Sequence, residues 1–276
     1  MVRAESMSFL KRIVKYFLWR VGTLENHDLA LIEFYRSEQD ESSNPFLRSS
    51  NVYGFSQSDE VGILNSLLSH FPSGTPKKFV EFGVGDGTEN NSLDFVLNGW
   101  EVWWFGNEEL VLQVPDRFKR LKYTKDWITL TNLHNVTPQL IEFNPGIISM
   151  DLDGNDFHFT QHLLGSGIKP AIWVQEYNAN YGPLSNWVMP YDEKHSWDLS
   201  TYWGASLNSF ALLFQSYGYT LVSCNLTGVN AFFVRDDLIS CLPTYEKSIS
   251  KLFRPYRPWF LKSRQRVSSK ILYGAV

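Results

Sequence analysis

The chain has 276 residues, of which 43% are hydrophobic and 20% charged, and this composition excludes a disordered chain. Its two cysteines, Cys224 and Cys241, exclude a disulfide scaffold and a cysteine-only zinc site, and they favour a reduced, cytoplasmic compartment. The net charge of −4 argues against a nucleic-acid-binding domain, which would carry a basic surface, and we expect no nucleic-acid partner.

Basic residues are concentrated at both ends of the chain. Residues 1–20 contain five basic residues and one acidic residue, and residues 247–276 contain eight basic residues and no acidic one. In residues 9–18 apolar side chains recur at helical spacing with the basic ones on the other side, which predicts an amphipathic helix. This helix is expected either to lie on a membrane surface or to dock on its own domain.

The chain is predicted to have three parts: an N-terminal helix and loop (1–58), a folded domain (59–240) and a basic C-terminal segment (241–276). For the last segment three roles stay open: contact with a membrane surface, contact with an acidic patch of a partner subunit, and a solvated tail. No apolar run is long enough for a transmembrane helix, and the N-terminus lacks the pattern of a cleaved signal peptide.

Predicted strands and helices alternate through the folded domain. The helices are expected at 59–71, 88–98 (with Thr88 as N-cap), 137–143, 157–165 and 205–217. The strands are expected at 78–82, 100–105, 127–131, 146–150, 171–175, 219–224 and 230–235. This alternation predicts an open α/β sheet, and the last two strands add an antiparallel edge. The long aromatic loop over 177–203 is typical of a lid or binding segment.

A glycine-rich turn follows the first predicted strand, in the sequence FVEFGVGDG of residues 79–87. Glycines at such a turn permit close approach of the backbone to a ligand. The dinucleotide pattern requires glycine where Thr88 stands, which disfavours an NAD-dependent oxidoreductase. The pattern of Glu81 followed by the three glycines instead resembles the first motif of Class I S-adenosylmethionine-dependent methyltransferases.

This resemblance implies a Rossmann-like seven-stranded sheet, mostly parallel with an antiparallel edge strand, and helices on both faces. It implies S-adenosylmethionine as cofactor, bound by the turn residues Glu81, Gly83, Gly85, Asp86 and Gly87. The family also places an acid at the end of the second strand for the ribose, where this chain has Gly106. Glu108 is the nearest substitute, with Asn107 as a hydrogen-bonding partner. The missing acid favours an alternative, a catalytically inactive binding protein that keeps the fold.

Acidic residues follow the fourth and fifth predicted strands. Asp151, Asp153, Asn155 and Asp156 follow the fourth, and Glu176, Tyr177 and Asn178 follow the fifth. Asp151, Asp153 and Glu176 are candidate ligands of Mg²⁺ or another divalent cation. Orientation of substrate hydroxyls and a capped strand–helix junction are the alternatives. The arrangement is similar to catechol-type O-methyltransferases, which hold a divalent metal after these two strands.

Four segments carry a narrower resemblance: ISMDLDGNDF, VQEYNANYGP, YWGASLNSF and YTLVSCNLTGVNAFFVR. They are similar to an FkbM-like branch of methyltransferases over residues 60–240. The resemblance implies O-methylation of a hydroxyl on a sugar, glycan or natural-product acceptor.

Candidate catalytic residues are His195, His158 and Asp151, because a histidine titrating near neutral pH accepts a proton from a hydroxyl. His162 is expected to pack. The acceptor is expected to lie against Asp153, Asn155, Glu176, Tyr177, Asn178 and Tyr181, with Asp151 also near the cofactor. The loop aromatics either stack on sugar faces or form a small core of their own.

Overall fold

The computed structural model describes residues 37, 42–49, 54–112 and 119–257. The chain divides into two units, Met1–Ser42 and Ser43–Val276, and nearly all described residues belong to the second. The predicted amphipathic helix and the end of the basic C-terminal segment lie outside the described residues. Among the helices in the described ranges, none has the length and apolarity needed to cross a bilayer.

Seven strands and seven α-helices are described in the second unit. The strands are β1 (Lys78–Phe82), β2 (Glu101–Gly106), β3 (Leu121–Lys125), β4 (Ile147–Met150), β5 (Ile172–Glu176), β6 (Tyr219–Cys224) and β7 (Asn230–Arg235). The helices are α1 (Pro45–Ser49), α2 (Glu60–Leu68), α3 (Leu93–Leu97), α4 (Leu130–Phe143), α5 (Asp156–Gly165), α6 (Leu207–Ser216) and α7 (Ile249–Leu252), and a 3₁₀ helix covers Asp236–Cys241.

The strands form one mixed sheet in the order β3-β2-β1-β4-β5-β7-β6. Strands β1 to β5 pair in parallel, and β7 runs antiparallel to both β5 and β6. The antiparallel strand therefore lies one position in from the edge, and β6 is the edge strand. This is the Rossmann-like seven-stranded α/β sheet that the sequence predicted. The strand order reverses between β1 and β4, which opens a crevice beyond their carboxyl ends.

Helices cover both faces of the sheet. Successive side chains of a strand point to opposite faces, so the helices bury the apolar side chains of both faces. On one face, Val80 and Phe82 of β1 belong to the main hydrophobic core, which also contains residues of α4, α5 and α6. On the other face, Phe79 packs against Phe95 of α3 with ring centroids 5.3 Å apart. Burial on both faces accounts for the continuous apolar runs of the central strands.

Three predicted elements differ clearly from the structure. The third strand is Leu121–Lys125, not 127–131, because Thr129 begins helix α4 in a reciprocal capping pair with Asn132. Helix α4 therefore starts at Leu130, seven residues before its predicted start at 137. Helix α3 is confined to Leu93–Leu97, and its N-cap is Ser92, not Thr88. The backbone N–H of Thr88 instead donates to Oδ1 of Asp86 at 2.9 Å.

Candidate functional site

The turn after β1 and the loop after β4 approach each other at Gly83. This residue has φ +87°, and a Cβ added to it would lie 1.5 Å from the carbonyl oxygen of Asp151. No side chain fits between the two backbones, so glycine is required at this position. The same approach places the carboxylate-bearing loop of β4 directly beside the turn.

Gly85 has φ +52°, and the space where its Cβ would stand is open. Gly83 and Gly85 both line a cavity of about 320 Å³, which we call the glycine-turn cavity. The structure does not bring Asp86 and Gly87 to this cavity. A Cβ on Gly87 would meet Leu110 at 3.0 Å, and the Asp86 carboxylate accepts from Thr88.

Glu81 supports the turn from within the core. Its side chain is buried, and it accepts hydrogen bonds from the Asn91 N–H at 2.6 Å, the Ser92 N–H at 3.0 Å and the Ser92 hydroxyl. Burial raises the pKa of Glu81 to about 7. Both oxygens are thus used to fix the start of α3, and Glu81 lies outside the lining of the glycine-turn cavity.

The end of β2 forms another part of this cavity. A Cβ on Gly106 would lie 3.3 Å from Cγ2 of Val84 and 3.4 Å from the Tyr123 hydroxyl, so the expected acid has little room there. Glu108 and Asn107 line the cavity, as the sequence suggested. Asp126 and Trp127 line it as well. The sequence does not identify these two residues, because its pattern predicts a strand over 127–131 and no loop at this edge of the sheet.

A second cavity of about 350 Å³ lies beyond β5, and we call it the aromatic-loop cavity. Its apolar lining comes largely from aromatic rings, and its polar lining comes from carboxylates and loop side chains. It is lined by Gln57, Asp151, Asp153, Glu176, Tyr177, Ala179, Asn180, Trp197, Leu199, Ser200, Thr201, Trp203, Gly228, Val229 and Tyr256. Asp151, Asp153 and Trp197 line both cavities, so the two spaces meet at these side chains.

The carboxylates at this meeting point are crowded. Asp151, Asp153 and Glu176 offer oxygens that all lie within 4.8 Å of one another. Burial, reinforced by neighbouring carboxylates, raises the pKa of Asp151 and Glu176 well above their usual values and that of Asp153 to about 6. Asp153 also has φ +53°, a conformation uncommon for a residue with a side chain. Carboxylate repulsion of this kind is relieved by protons or by a cation.

Asp156 and Asn155 shape the loop and do not join this cluster. The Asp156 carboxylate accepts from the Leu152 N–H at 2.8 Å and the Gly154 N–H at 2.9 Å. The side chain of Asn155 donates to the Asp192 carbonyl at 2.7 Å and accepts from the Asp192 N–H at 3.1 Å. The predicted acceptor-binding amide thus holds the long loop in place, although Asn155 also contributes to the glycine-turn cavity.

His195 is the histidine that the structure brings to the site. It lines the glycine-turn cavity and packs so closely on Gly154 that a Cβ there would lie 2.6 Å from its Cδ2. Within the described part of the chain, its Nε2 is buried and has no hydrogen-bond partner. The ring therefore carries a polar atom that no described group of the protein satisfies.

The structure does not bring His158, the other predicted base, to either cavity. Its Nε2 lies 2.8 Å from the carbonyl oxygen of Met189, to which it donates, and its ring packs on Phe157 and Tyr191. The ring is committed to anchoring the loop and lines neither cavity. His162 packs as expected, with its Nε2 3.1 Å from the Thr137 hydroxyl.

Two predicted acceptor-binding residues have structural roles. The buried Asn178 donates to the carbonyls of Thr201 and Trp203 and accepts from Asn180, so its amide is fully used within the loop. Tyr181 stacks on Trp187 at 4.4 Å between ring centroids and lines neither cavity. Each was placed at the site by its sequence position beside Glu176, but its side chain turns into the loop's own packing.

Tyr177 reaches the aromatic-loop cavity as predicted, but its hydroxyl does not serve a ligand. The hydroxyl donates to the carbonyl oxygen of Arg254 at 2.7 Å. The ring can contact an acceptor, while the polar end ties the C-terminal residues to the end of β5.

Comparison with protein-family models and with curated proteins gives no match. Among solved structures, human N-acetylserotonin methyltransferase in complex with SAM has a TM-score of 0.35 and 10% identity, covering 74% of this chain and 66% of that one. An O-methyltransferase family 2 protein from Planctomyces limnophilus in complex with apigenin has a TM-score of 0.34 and 10% identity, covering 62% and 56%. An O-methyltransferase family protein from Burkholderia thailandensis has a TM-score of 0.34 and 11% identity, covering 76% and 70%. The chain spans less than two thirds of the length of the first two.

Proposed function

We propose that the chain is an S-adenosylmethionine-dependent O-methyltransferase that methylates a hydroxyl of a sugar, glycan or natural-product acceptor. The observation that carries the proposal is the meeting of two cavities at Asp151, Asp153 and Trp197. A methyl transfer needs two ligands bound side by side with their reacting atoms in contact. The glycine-turn cavity is lined in part by Gly83 and Gly85, and the aromatic-loop cavity is lined largely by aromatic rings and carboxylates.

The glycine-turn cavity fits a sulfonium nucleoside. Gly85 leaves open space where a side chain would stand, which allows a ligand to approach the backbone of the turn. Glu108 and Asp126 bring carboxylates to the same cavity, where they would accept from ribose hydroxyls or a base amino group. These two acids weigh against the alternative of an inactive binding protein, which was based on the absence of an acid at Gly106.

S-adenosylmethionine, when bound, supplies an electrophilic methyl group on a positively charged sulfur. In a transfer of this methyl group, the acceptor hydroxyl would lose its proton as its oxygen takes the methyl carbon from sulfur, and Nε2 of His195 would accept that proton. His195 is the candidate for this role because its ring lines the cavity that Asp151 and Asp153 also line, and its Nε2 has no hydrogen-bond partner among the described residues. The Asn155–Asp192 hydrogen bonds hold the loop segment that carries it.

The carboxylate cluster also fits a divalent cation. Asp151, Asp153 and Glu176 provide the hard oxygen donors that Mg²⁺ prefers, and their mutual repulsion would be relieved by positive charge. A cation held there would lower the pKa of an acceptor hydroxyl. In the alternative without a cation, the same three carboxyl groups would orient acceptor hydroxyls by hydrogen bonding.

The first test of the proposal is calorimetry with S-adenosylhomocysteine. We expect wild-type protein to bind it and Gly85→Asn to bind at least tenfold more weakly, because asparagine tolerates φ +52° but fills the open space. Gly167→Asn is the matched control, since Gly167 also has positive φ and open space, in the turn after α5. Absence of binding to wild-type protein at millimolar ligand would reject the enzyme and favour the inactive binding protein.

The second test follows methyl transfer from radiolabelled S-adenosylmethionine to simple glycosides, oligosaccharides and phenolic natural products. Label in a hydroxylated acceptor supports O-methylation. Label found only in amine or thiol acceptors would contradict it.

A further inference from the structure

Residues 253–257, which we call the C-terminal strap, lie across one side of the aromatic-loop cavity. The first anchor of the strap is Tyr177, at the end of β5. Its hydroxyl donates to the carbonyl oxygen of Arg254 at 2.7 Å and lies 3.3 Å from the Arg254 N–H, which donates back to it. The ring of Tyr177 also packs on Phe253, with centroids 6.1 Å apart.

The second anchor is the turn between β6 and β7. The Arg257 N–H donates to the Thr227 carbonyl at 2.8 Å. Gly228 has φ +71°, and a Cβ there would lie 2.2 Å from the carbonyl oxygen of Pro255 and 2.5 Å from that of Arg254. The turn and the strap are therefore in direct backbone contact, and only glycine permits this approach.

Tyr256 lies between these anchors and reaches the cavity. Its side chain lines the same space as Asp151, Asp153 and Glu176, and 41% of its surface is exposed. A tyrosine hydroxyl keeps its proton at neutral pH, so Tyr256 is a hydrogen-bond donor in a space otherwise rich in acceptors.

We propose that Tyr256 contacts the acceptor and that the C-terminal strap determines which acceptors fit the aromatic-loop cavity. This inference rests on the proposed function. It assigns residues 253–257 of the basic C-terminal segment to the site itself. The flat ring offers a face to a sugar or aromatic ring, and the hydroxyl donates to an acceptor oxygen while the carboxylates accept from its hydroxyls.

The test uses the full chain and a fixed panel of probes: catechol and the methyl glycosides of glucose, galactose, mannose and rhamnose. Turnover is measured as release of S-adenosylhomocysteine, and probe binding is measured by calorimetry. We expect Tyr256→Ala to raise the KM of the best probe about tenfold and Tyr256→Phe about threefold. The KM for S-adenosylmethionine should stay within about twofold.

Two further variants separate a role in acceptor contact from a general effect. Gly228→Ala forces the strap away from the turn without altering Tyr256, and it should raise the acceptor KM in the same way. Tyr217→Phe is the matched control, because Tyr217 lies at the end of α6 outside both cavities, and it should leave both KM values unchanged.

The proposal is overturned if Tyr256→Ala and Gly228→Ala leave the acceptor KM unchanged. It is also overturned if wild-type protein binds S-adenosylhomocysteine but none of the probes, because the cavity would then not accept a hydroxylated ring. Failure of wild-type protein to bind S-adenosylhomocysteine would instead reject the proposed function, and this inference with it.

Discussion

The backbones of Gly83 and Asp151 are in contact just beyond the carboxyl ends of β1 and β4. A Cβ on Gly83 would lie 1.5 Å from the Asp151 carbonyl oxygen. The neighbouring strands β1 and β4 pair through Phe82 and Met150, immediately before these two residues. The glycine turn and the carboxylate loop are thus held as one unit. A shift of either segment would therefore change the geometry of both cavities, because Asp151 lines both.

Replacing Gly83 should therefore damage the fold. We expect Gly83→Ala to lower the free energy of unfolding by about 3–5 kcal/mol, because the methyl group overlaps the Asp151 carbonyl. Gly167→Ala is the control, with positive φ but open space, and should cost about 1–2 kcal/mol. Urea unfolding of the two variants measures the difference. Equal losses would mean that the two backbones move apart readily.

His195→Gln should lower kcat by about 10²–10⁴-fold, because the variant has no nitrogen to accept the acceptor proton. Binding of S-adenosylhomocysteine should change little. His158→Gln is the matched control, since the glutamine amide still donates to Met189 and the ring lines neither cavity. Steady-state kinetics and calorimetry give the two values. A larger loss of kcat in His158→Gln than in His195→Gln would contradict the assignment.

The carboxylate cluster should respond to a divalent cation. We expect Mg²⁺ to raise the unfolding temperature of wild-type protein by relieving the repulsion among Asp151, Asp153 and Glu176. Asp151→Asn should raise the unfolding temperature without Mg²⁺, because it removes one of three crowded carboxyl groups, and should abolish the response to Mg²⁺.

The control for the cation experiment is Asp237→Asn. This variant removes an exposed carboxylate that pairs with Arg235 and lines neither cavity. Its response to Mg²⁺ should equal that of wild-type protein. Turnover that is the same with chelator and with Mg²⁺, together with no thermal shift, would rule out a metal at this cluster.

Stability should fall as the pH rises, because of Glu81. Burial raises its pKa from 4.5 to about 7, so the folded protein binds a proton that the unfolded chain releases. The stabilisation from this group is complete below about pH 4.5 and is lost as the pH rises through about 7. The expected size is on the order of 3 kcal/mol.

Urea unfolding between pH 5 and pH 8 checks this expectation. Glu81→Gln should make the free energy of unfolding less dependent on pH, since a neutral side chain stands there throughout. Glu101→Gln, at an exposed position of β2, is the control and should keep the wild-type dependence. A Glu81→Gln profile that parallels wild type would show that another group with a raised pKa, such as Asp153, dominates.

Local patterns in the sequence determined most of the fold. The strands β1, β6 and β7 have the predicted bounds, because apolar runs and turn residues such as the Asn225–Gly228 stretch mark them within a few positions. The glycine spacing likewise located the turn that lines one cavity. These signals involve neighbours in the chain, so no tertiary information is needed to detect them.

The site depended on contacts that no local pattern encodes. The polar segment Leu121–Lys125 forms a strand because it pairs with β2. Residues 127–131 have the higher β propensity but do not form a strand, because Thr129 is the N-cap of helix α4. His195 and His158 both follow acidic residues in the sequence, but the ring of His195 lines the glycine-turn cavity, while Nε2 of His158 is hydrogen-bonded to the Met189 carbonyl. Tyr256 reaches the carboxylates only because the strap is bound by Tyr177 and the β6–β7 turn. Hydrogen bonds and backbone contacts between distant segments decide which side chains remain available, and these form only when the chain folds.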